Sequence, residues 1–395
     1  MDVLELVGRK KPLFYDDINT RESELSELIR GSQILVVGAA GSIGQSVTIE
    51  LMKRCPKLLY AVDISENNLV ELVRMIRSSA EYNECEFKTF ALSCDSHEFD
   101  ALCKSGPKFD YIFNLSAMKH VRSEKDPFTL MRLIRTNIFN TMELLKVADA
   151  HNTKGYFCVS TDKAANPVNM MGASKRIMEK YLFSSAGKTR TSLARFANVA
   201  FSDGSLLHGF NNRFMKKQPI TAPLDVKRYF VSAQEAGELC ILSGLLGGHR
   251  DIFFPKLNKE FHLETFSAIA FRFLKDLGYT PYLCDSEEEA RARCADLIKD
   301  KKWPVYFFTS DTTGEKTFEE FYTSKEQIDF ASFSDIGIIR NRPYDTVDLL
   351  RDFEKSLASI RLDDVNAKRD IVKAFEKLIP EFQHVELGKN LDQRM

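Results

Sequence analysis

A chain of 395 residues, 44% hydrophobic and 28% charged, is long enough for a large core and has the composition of a globular protein. Its formal net charge of −1 offers no bulk attraction to nucleic acid or to an anionic membrane. The eight cysteines form no C-x-x-C pair and the seven histidines show no ligand spacing, so reduced thiols and no metal are expected, as in a cytoplasmic protein.

Met1 to Arg30 lacks the apolar stretch of a signal peptide, and no apolar run approaches the roughly 20 residues of a membrane span, so a soluble chain without membrane insertion is expected. Asn19-Thr-Arg-Glu22 has the form of a helix start and predicts a short amphipathic helix ending at Gly31. Apolar runs then recur at Ile34–Val37, Leu58–Val62, Phe87–Leu92, Tyr111–Leu115, Gly155–Val159 and Ser192–Phe196. Segments of helical period lie between them, including Leu130–Ala148 and Lys175–Ser184. Strands alternating with helices predict an α/β fold, a Rossmann-type doubly wound parallel sheet. After about Ser205 the rhythm loosens and a charged helix is expected over Ser286–Lys302. Two polar amphipathic helices, Val347–Ile360 and Val365–Leu378, form a helical C-terminal tail. The expected organisation is an N-terminal helical extension (1–30), a nucleotide-binding domain (31–204 plus about 229–260), a smaller α/β substrate-binding lobe (about 205–228 plus 261–343) and the tail (344–395).

Gly38-Ala-Ala-Gly41-Ser-Ile-Gly44 follows the first strand and opens a helix. The first glycine permits the tight turn, the second lets backbone approach a pyrophosphate, and the third lets helix and strand pack closely. The helix N-terminus adds free N–H groups. Gly38, Ala40, Gly41, Ser42, Ile43 and Gly44 are thus candidate cofactor residues. Asp63, ending the next strand, is placed for the adenosine ribose hydroxyls and against a 2′-phosphate, which favours NAD over NADP. Asp95, after the third strand, is either at the adenine edge or an ordinary strand-end carboxylate.

The fifth strand runs into Ser160-Thr161-Asp162-Lys163, a hydroxyl, a carboxylate and an amine at the end of a strand where α/β sheets bind ligands. Met171-Gly-Ala-Ser-Lys175 has the short-chain dehydrogenase spacing Tyr-x-x-x-Lys with methionine in place of tyrosine. Lys175 is suited to the nicotinamide ribose, while Met171 has no proton to exchange and cannot be a general base. Either the site is inactive or its base has moved. Lys119 and His120, ending the fourth strand, orient a ligand or form a solvated terminus. Asn137, within a helix, is placed to steady the backbone nearby.

Together with Asn114-Leu-Ser-Ala-Met-Lys-His120, Asn166-Pro-Val-Asn-Met-Met-Gly-Ala-Ser-Lys-Arg176, Arg195-Phe-Ala-Asn-Val199 and Lys227-Arg-Tyr-Phe230, these strings resemble the nucleotide-sugar 4,6-dehydratases of the extended short-chain dehydrogenase superfamily. The resemblance covers about residues 30 to 330 and is closest to the bacterial UDP-N-acetylglucosamine 4,6-dehydratases, in the branch that carries methionine at the position of Met171. That branch is active, so the resemblance implies a relocated base. It further implies bound NAD, a UDP-sugar substrate and a homodimer or higher assembly through helices flanking the active-site segment. By position Lys163 is then the C5 base, Asp162 the acid for the departing C6 hydroxyl and Thr161 the partner of the C4 oxygen, while Asn198 and Arg228 hold the nucleotide diphosphate. Two departures stand out. Thr312-Thr-Gly-Glu-Lys316 lacks the family's arginine, at Thr312, and Asn198-Val-Ala-Phe-Ser-Asp-Gly204 replaces a smaller loop. The alternatives are a nucleotide-sugar 4-epimerase or reductase, and a non-catalytic NAD-binding sensor.

Overall fold

Six apolar runs become parallel strands: β1 (Gln33–Val37), β2 (Leu58–Asp63), β3 (Glu86–Ala91), β4 (Tyr111–Asn114), β5 (Gly155–Thr161) and β6 (Thr191–Phe196). They appear in a computed structural model that describes residues 2–80, 85–184, 188–257, 263–310, 319–341, 343–344, 347–382 and 384. The spatial order β3-β2-β1-β4-β5-β6 reverses direction between β1 and β4, the place where an open α/β sheet forms a ligand crevice. Burial explains the composition of the strands. Ile34, Leu35, Val36, Tyr156, Phe157 and Cys158 are all within 1% of complete burial, as expected where helices cover both faces of a parallel sheet.

Asp251–Pro255 continues the sheet parallel to β6, and Ile336–Arg340 and Ile328–Asp329 close it with antiparallel strands. Residues 328–340, expected in the lobe, therefore join the large sheet: Ile336, Ile338 and Ile339 are buried on it. A second sheet, Thr280–Leu283, Lys302–Phe308 and Ile220–Pro223, is parallel throughout. It gathers its own apolar cluster with Trp303, Phe210 and Phe273.

Helix α1 (Ser42–Lys53) packs on α3 (Ala233–Leu246), where Gly237 lies so close to Ser46 that a Cβ would meet its backbone at 2.9 Å. Helix α2 (Met170–Ser184) packs on β5. The tail helices Val347–Ala358 and Ala367–Leu378 lie close to their expected spans. They bury Leu350, Phe353, Ile371 and Phe375 against α2 and Pro127–Ile134.

Local signals were less exact where tertiary contacts set the ends. The first long helix spans Tyr15–Ile29, placing Asn19 inside it rather than at its start. Buried Leu25 and Ile29 anchor that helix, and the Asp17 carboxylate accepts from the amides of Ser334 and Asp335, so packing fixes where it begins. The helix expected over 130–148 divides into Pro127–Ile134, a π-helical turn Arg135–Phe139, and Asn140–His151. The charged segment 286–302 forms two short helices and a strand start. One cysteine expectation is corrected: Cys55 and Cys85 are disulfide-bonded, 30 residues apart. β2 and β3 start in register, Leu58 against Glu86, which brings together the cysteines just before each strand.

Glu238 on α3 is buried near Glu50 and Glu235 with its Oε2 unpartnered. Burial first, then those like charges, raise its carboxyl to about 7 despite a hydrogen bond from Gln234. A raised carboxyl in the folded state penalises folding as pH climbs from the unfolded value towards 7, and the penalty is complete above it. Glu238→Gln is therefore expected to stabilise the chain by about 2 kcal/mol at pH 8 and to change nothing at pH 4. Urea unfolding at the two pH values measures this; equal midpoints for wild type and variant at pH 8 would contradict it.

Candidate active site

The turn after β1 is built for close approach. Gly38 has φ +77°, and a Cβ there would meet the Ser116 amide nitrogen at 2.6 Å. A Cβ on Gly44 would run into the Gly38 carbonyl oxygen. Gly41 caps α1, whose first residues are Ser42, Ile43 and Gly44. The Asp63 carboxylate accepts from the Ala40 amide at 2.9 Å and from the Ser65 amide at 2.9 Å, which fixes it beside the glycine turn. Asp95 is exposed beyond β3 and accepts from the Ser93 hydroxyl. These features fit a dinucleotide: a backbone cradle with no room for side chains, an open helix N-terminus and a carboxylate one strand over.

At the end of β5 three of the expected residues meet. The Thr161 hydroxyl donates to Asp162 Oδ1 at 2.8 Å, and Lys163 Nζ lies 3.1 and 3.2 Å from the two carboxylate oxygens. Asp162 is 4% exposed at its side chain and Lys163 30%. Lys175 is buried, and its Nζ donates to the Val159 carbonyl at 3.1 Å; burial lowers its pKa against the opposing pull of Cys158 and Glu179. Met171 lies in the apolar cluster shared with the tail helices. Asn137 is fully buried in the π-helical turn. It brackets Met118 with hydrogen bonds to its amide (2.9 Å) and carbonyl (3.0 Å) and donates to the Ser174 hydroxyl at 3.0 Å.

Lys119 donates to the Ser202 hydroxyl at 3.3 Å, and burial lowers the pKa of both Lys119 and His120. His120 fills the space a Cβ would need at Gly204 (φ +70°), and the Asp203 amide donates to Ser42 at 2.8 Å. Loop 201–204 thus reaches from the lobe side onto the mouth of the glycine turn. Asn198 donates to Glu319, and Arg228 Nε stands 3.7 Å from the same carboxylate. Both residues expected on a diphosphate are here gathered around one acid. The 312–316 string lies outside the described residues.

Sequence reasoning missed Glu319 and the buried network behind β5. Ser160 donates to Glu179 at 2.7 Å, and Arg195 bonds Glu179, Glu326 and the Phe321 carbonyl. Glu179 stands four residues after Lys175, one helical turn on, which is the signal that could have found it. Among the described residues no cluster of His, Cys, Asp or Glu is placed to hold a metal, and no helix is long and apolar enough to cross a membrane.

The family model described as polysaccharide biosynthesis protein matches residues 34–341. The chain belongs to that family. An uncharacterized membrane protein of Methanocaldococcus jannaschii is 31% identical over 265 residues, 65% of this chain and 76% of that one. A UDP-N-acetylglucosamine 4,6-dehydratase (inverting) of Campylobacter jejuni is 30% identical over 244 residues, 58% and 68%. A UDP-glucose 4-epimerase of Rickettsia bellii is 26% identical over 238 residues, 56% and 65%. Against two further curated relatives the chain spans only 41% and 42% of their lengths. Among solved structures, Pen from Bacillus thuringiensis superposes with a TM-score of 0.64 at 23% identity, covering 80% of this chain and 89% of that one, which shows the shared fold. The relatives thus include a nucleotide-sugar dehydratase and a nucleotide-sugar epimerase.

Proposed function

We propose that this chain is an NAD-dependent UDP-N-acetylglucosamine 4,6-dehydratase, a lyase of surface-glycan synthesis. The observation that carries the reading is the Thr161–Asp162–Lys163 constellation at the end of β5. Epimerisation at C4 needs no acid at C6 and no base at C5; water loss needs both.

When bound, NAD supplies the hydride acceptor for C4 and the donor for C6. Thr161 passes the C4 hydroxyl proton to Asp162, to which it already donates; Met171 has no proton to give. The C4 ketone acidifies C5, and the Lys163 amine takes that proton. The C5–H electrons form the C5=C6 bond, the C6–O bond breaks, and Asp162 returns its proton to the leaving oxygen as water. Lys163 then gives its proton back to C5 while C6 is reduced, so both side chains end as they began and the net reaction is loss of water. Lys175 positions the nicotinamide ribose, Asp63 the adenosine ribose and Asp95 the adenine edge. Lys119, His120, Asn198 and Arg228 line the sugar-diphosphate side. A homodimer or larger assembly follows from the resemblance. The tail helices already cover the apolar side of α2, so pairing would use another surface.

The direct test is mass spectrometry of UDP-N-acetylglucosamine after incubation with the purified chain and NAD. A product lighter by one water is expected. An isomer of unchanged mass would favour the epimerase, and no turnover of any nucleotide sugar would favour the sensor. Gly44→Ala is expected to weaken NAD binding at least tenfold by displacing the turn at Gly38, read by calorimetric titration; unchanged affinity would contradict the placement.

A further inference from the structure

The loop between Asn198–Val199 and the helix Leu206–Met215 is anchored at both ends on the lobe side. Phe201 has φ +56°, a left-handed backbone that a bulky residue adopts only under constraint. Its ring stacks on Phe273, in the lobe's apolar cluster, with centroids 6.1 Å apart. At the other end Ser205 caps the helix, its hydroxyl accepting from the His208 amide at 3.1 Å. Between these anchors residues 202–204 reach across to the large sheet. The Asp203 amide donates at 2.8 Å to the hydroxyl of Ser42, the first residue of α1 after β1. Lys119, beyond β4, donates to the Ser202 hydroxyl at 3.3 Å, and the ring of His120 lies against Gly204. β1 and β4 are the strands between which the sheet order reverses, so the loop touches both sides of the crevice that opens there.

We propose that residues 201–204 form a strap across the dinucleotide crevice, and that NAD enters and leaves only when the strap opens. This rests on the cofactor half of the reading above. The contacts that cross the crevice are two hydrogen bonds and the edge of one ring, small enough to break and re-form, while Phe201 and Ser205 keep the ends in place. Left-handed backbone at Phe201 (φ +56°) and Gly204 (φ +70°) brackets the span and sets its direction. A dinucleotide that is reduced and reoxidised within one turnover gains nothing by leaving, and a strap that seldom opens keeps it in the site.

Kinetics tell a strap from an ordinary binding contact. Loosening a gate speeds entry and release together and leaves Kd where it was, whereas losing a contact to the cofactor speeds release alone. Stopped-flow fluorescence of NADH on the full chain measures both rates. Ser202→Ala removes the hydroxyl that Lys119 reaches. It keeps the backbone bonds from the Ser202 amide to the Val199 carbonyl (3.3 Å) and from the Ser205 amide to the Ser202 carbonyl (2.9 Å), so the loop retains its turn. Gly204→Ala tests the same strap by another route, since a Cβ there would meet the His120 ring at 2.8 Å. In each variant the association and dissociation rate constants are expected to rise about fivefold, the scale of one lost hydrogen bond, with Kd within about twofold of wild type. Faster dissociation with unchanged association would make the loop a plain wall of the site and overturn the strap, as would wild-type rates in both variants. Neither rate involves a sugar. A chain that shows the expected rates and dehydrates no nucleotide sugar would therefore sink the dehydratase reading and leave the strap standing, whereas a chain that binds no NADH would sink both.

Discussion

Lys163→Ala is expected to lower the rate of water loss by about a thousandfold, the scale of a lost general base, while NAD affinity stays within twofold of wild type. The separation follows from geometry. Lys163 Nζ contacts Asp162 and no part of the glycine turn, so its removal empties the C5 position without disturbing Gly38, Gly44 or Asp63. Asp162 loses the Lys163 hydrogen bonds in the variant but keeps the Thr161 hydroxyl, so the fold is expected to survive. Single-turnover mass spectrometry and calorimetric titration of NAD measure the two quantities. Dehydration within tenfold of wild type would remove Lys163 as the base.

Arg195→Met is expected to destabilise the large sheet by about 4 kcal/mol. Arg195 is fully buried and pairs with Glu179 at 2.8 Å and Glu326 at 2.8 Å. Burial alone would raise the Glu179 carboxyl, but the charge and hydrogen bonds of Arg195, with Arg176 and Ser160, outweigh it and hold it at about 2. Without Arg195 two buried carboxylates lose their principal partner, and methionine supplies volume but no charge. Because the Glu179 carboxyl is depressed in the fold, its contribution is complete above the unfolded value near 4.5 and is lost as pH falls towards 2. The variant should therefore differ from wild type most at neutral pH and least in acid. Urea denaturation across pH decides it, and a cost below about 1 kcal/mol at pH 7 would show that the network is replaceable.

The sheet was legible because each central strand is a short apolar run bounded by turns, and burial on both faces demands that composition. The glycine turn was legible for a similar reason: Gly38 and Gly44 stand where a Cβ has no room, so residue type records backbone geometry directly. Thr161, Asp162 and Lys163 are consecutive, and one strand end carries them together. Glu319 could not be found this way. Its contacts with Asn198, Tyr229 and Arg228 exist only in the folded chain. The same holds for the disulfide, since Cys55 and Cys85 meet only once β2 and β3 pair in register. The closing strands near 328 and 336 were hidden because antiparallel edge pairing leaves no βαβ rhythm to read.

The central claim is an internal redox cycle, in which hydride leaves C4 and returns to C6 of the same sugar. UDP-N-acetylglucosamine deuterated at C4, incubated with the holoenzyme in ordinary water, tests it in one step. The product should be lighter by one water and should carry the deuterium at C6, seen by NMR. Deuterium still at C4, or lost to solvent, would contradict the account.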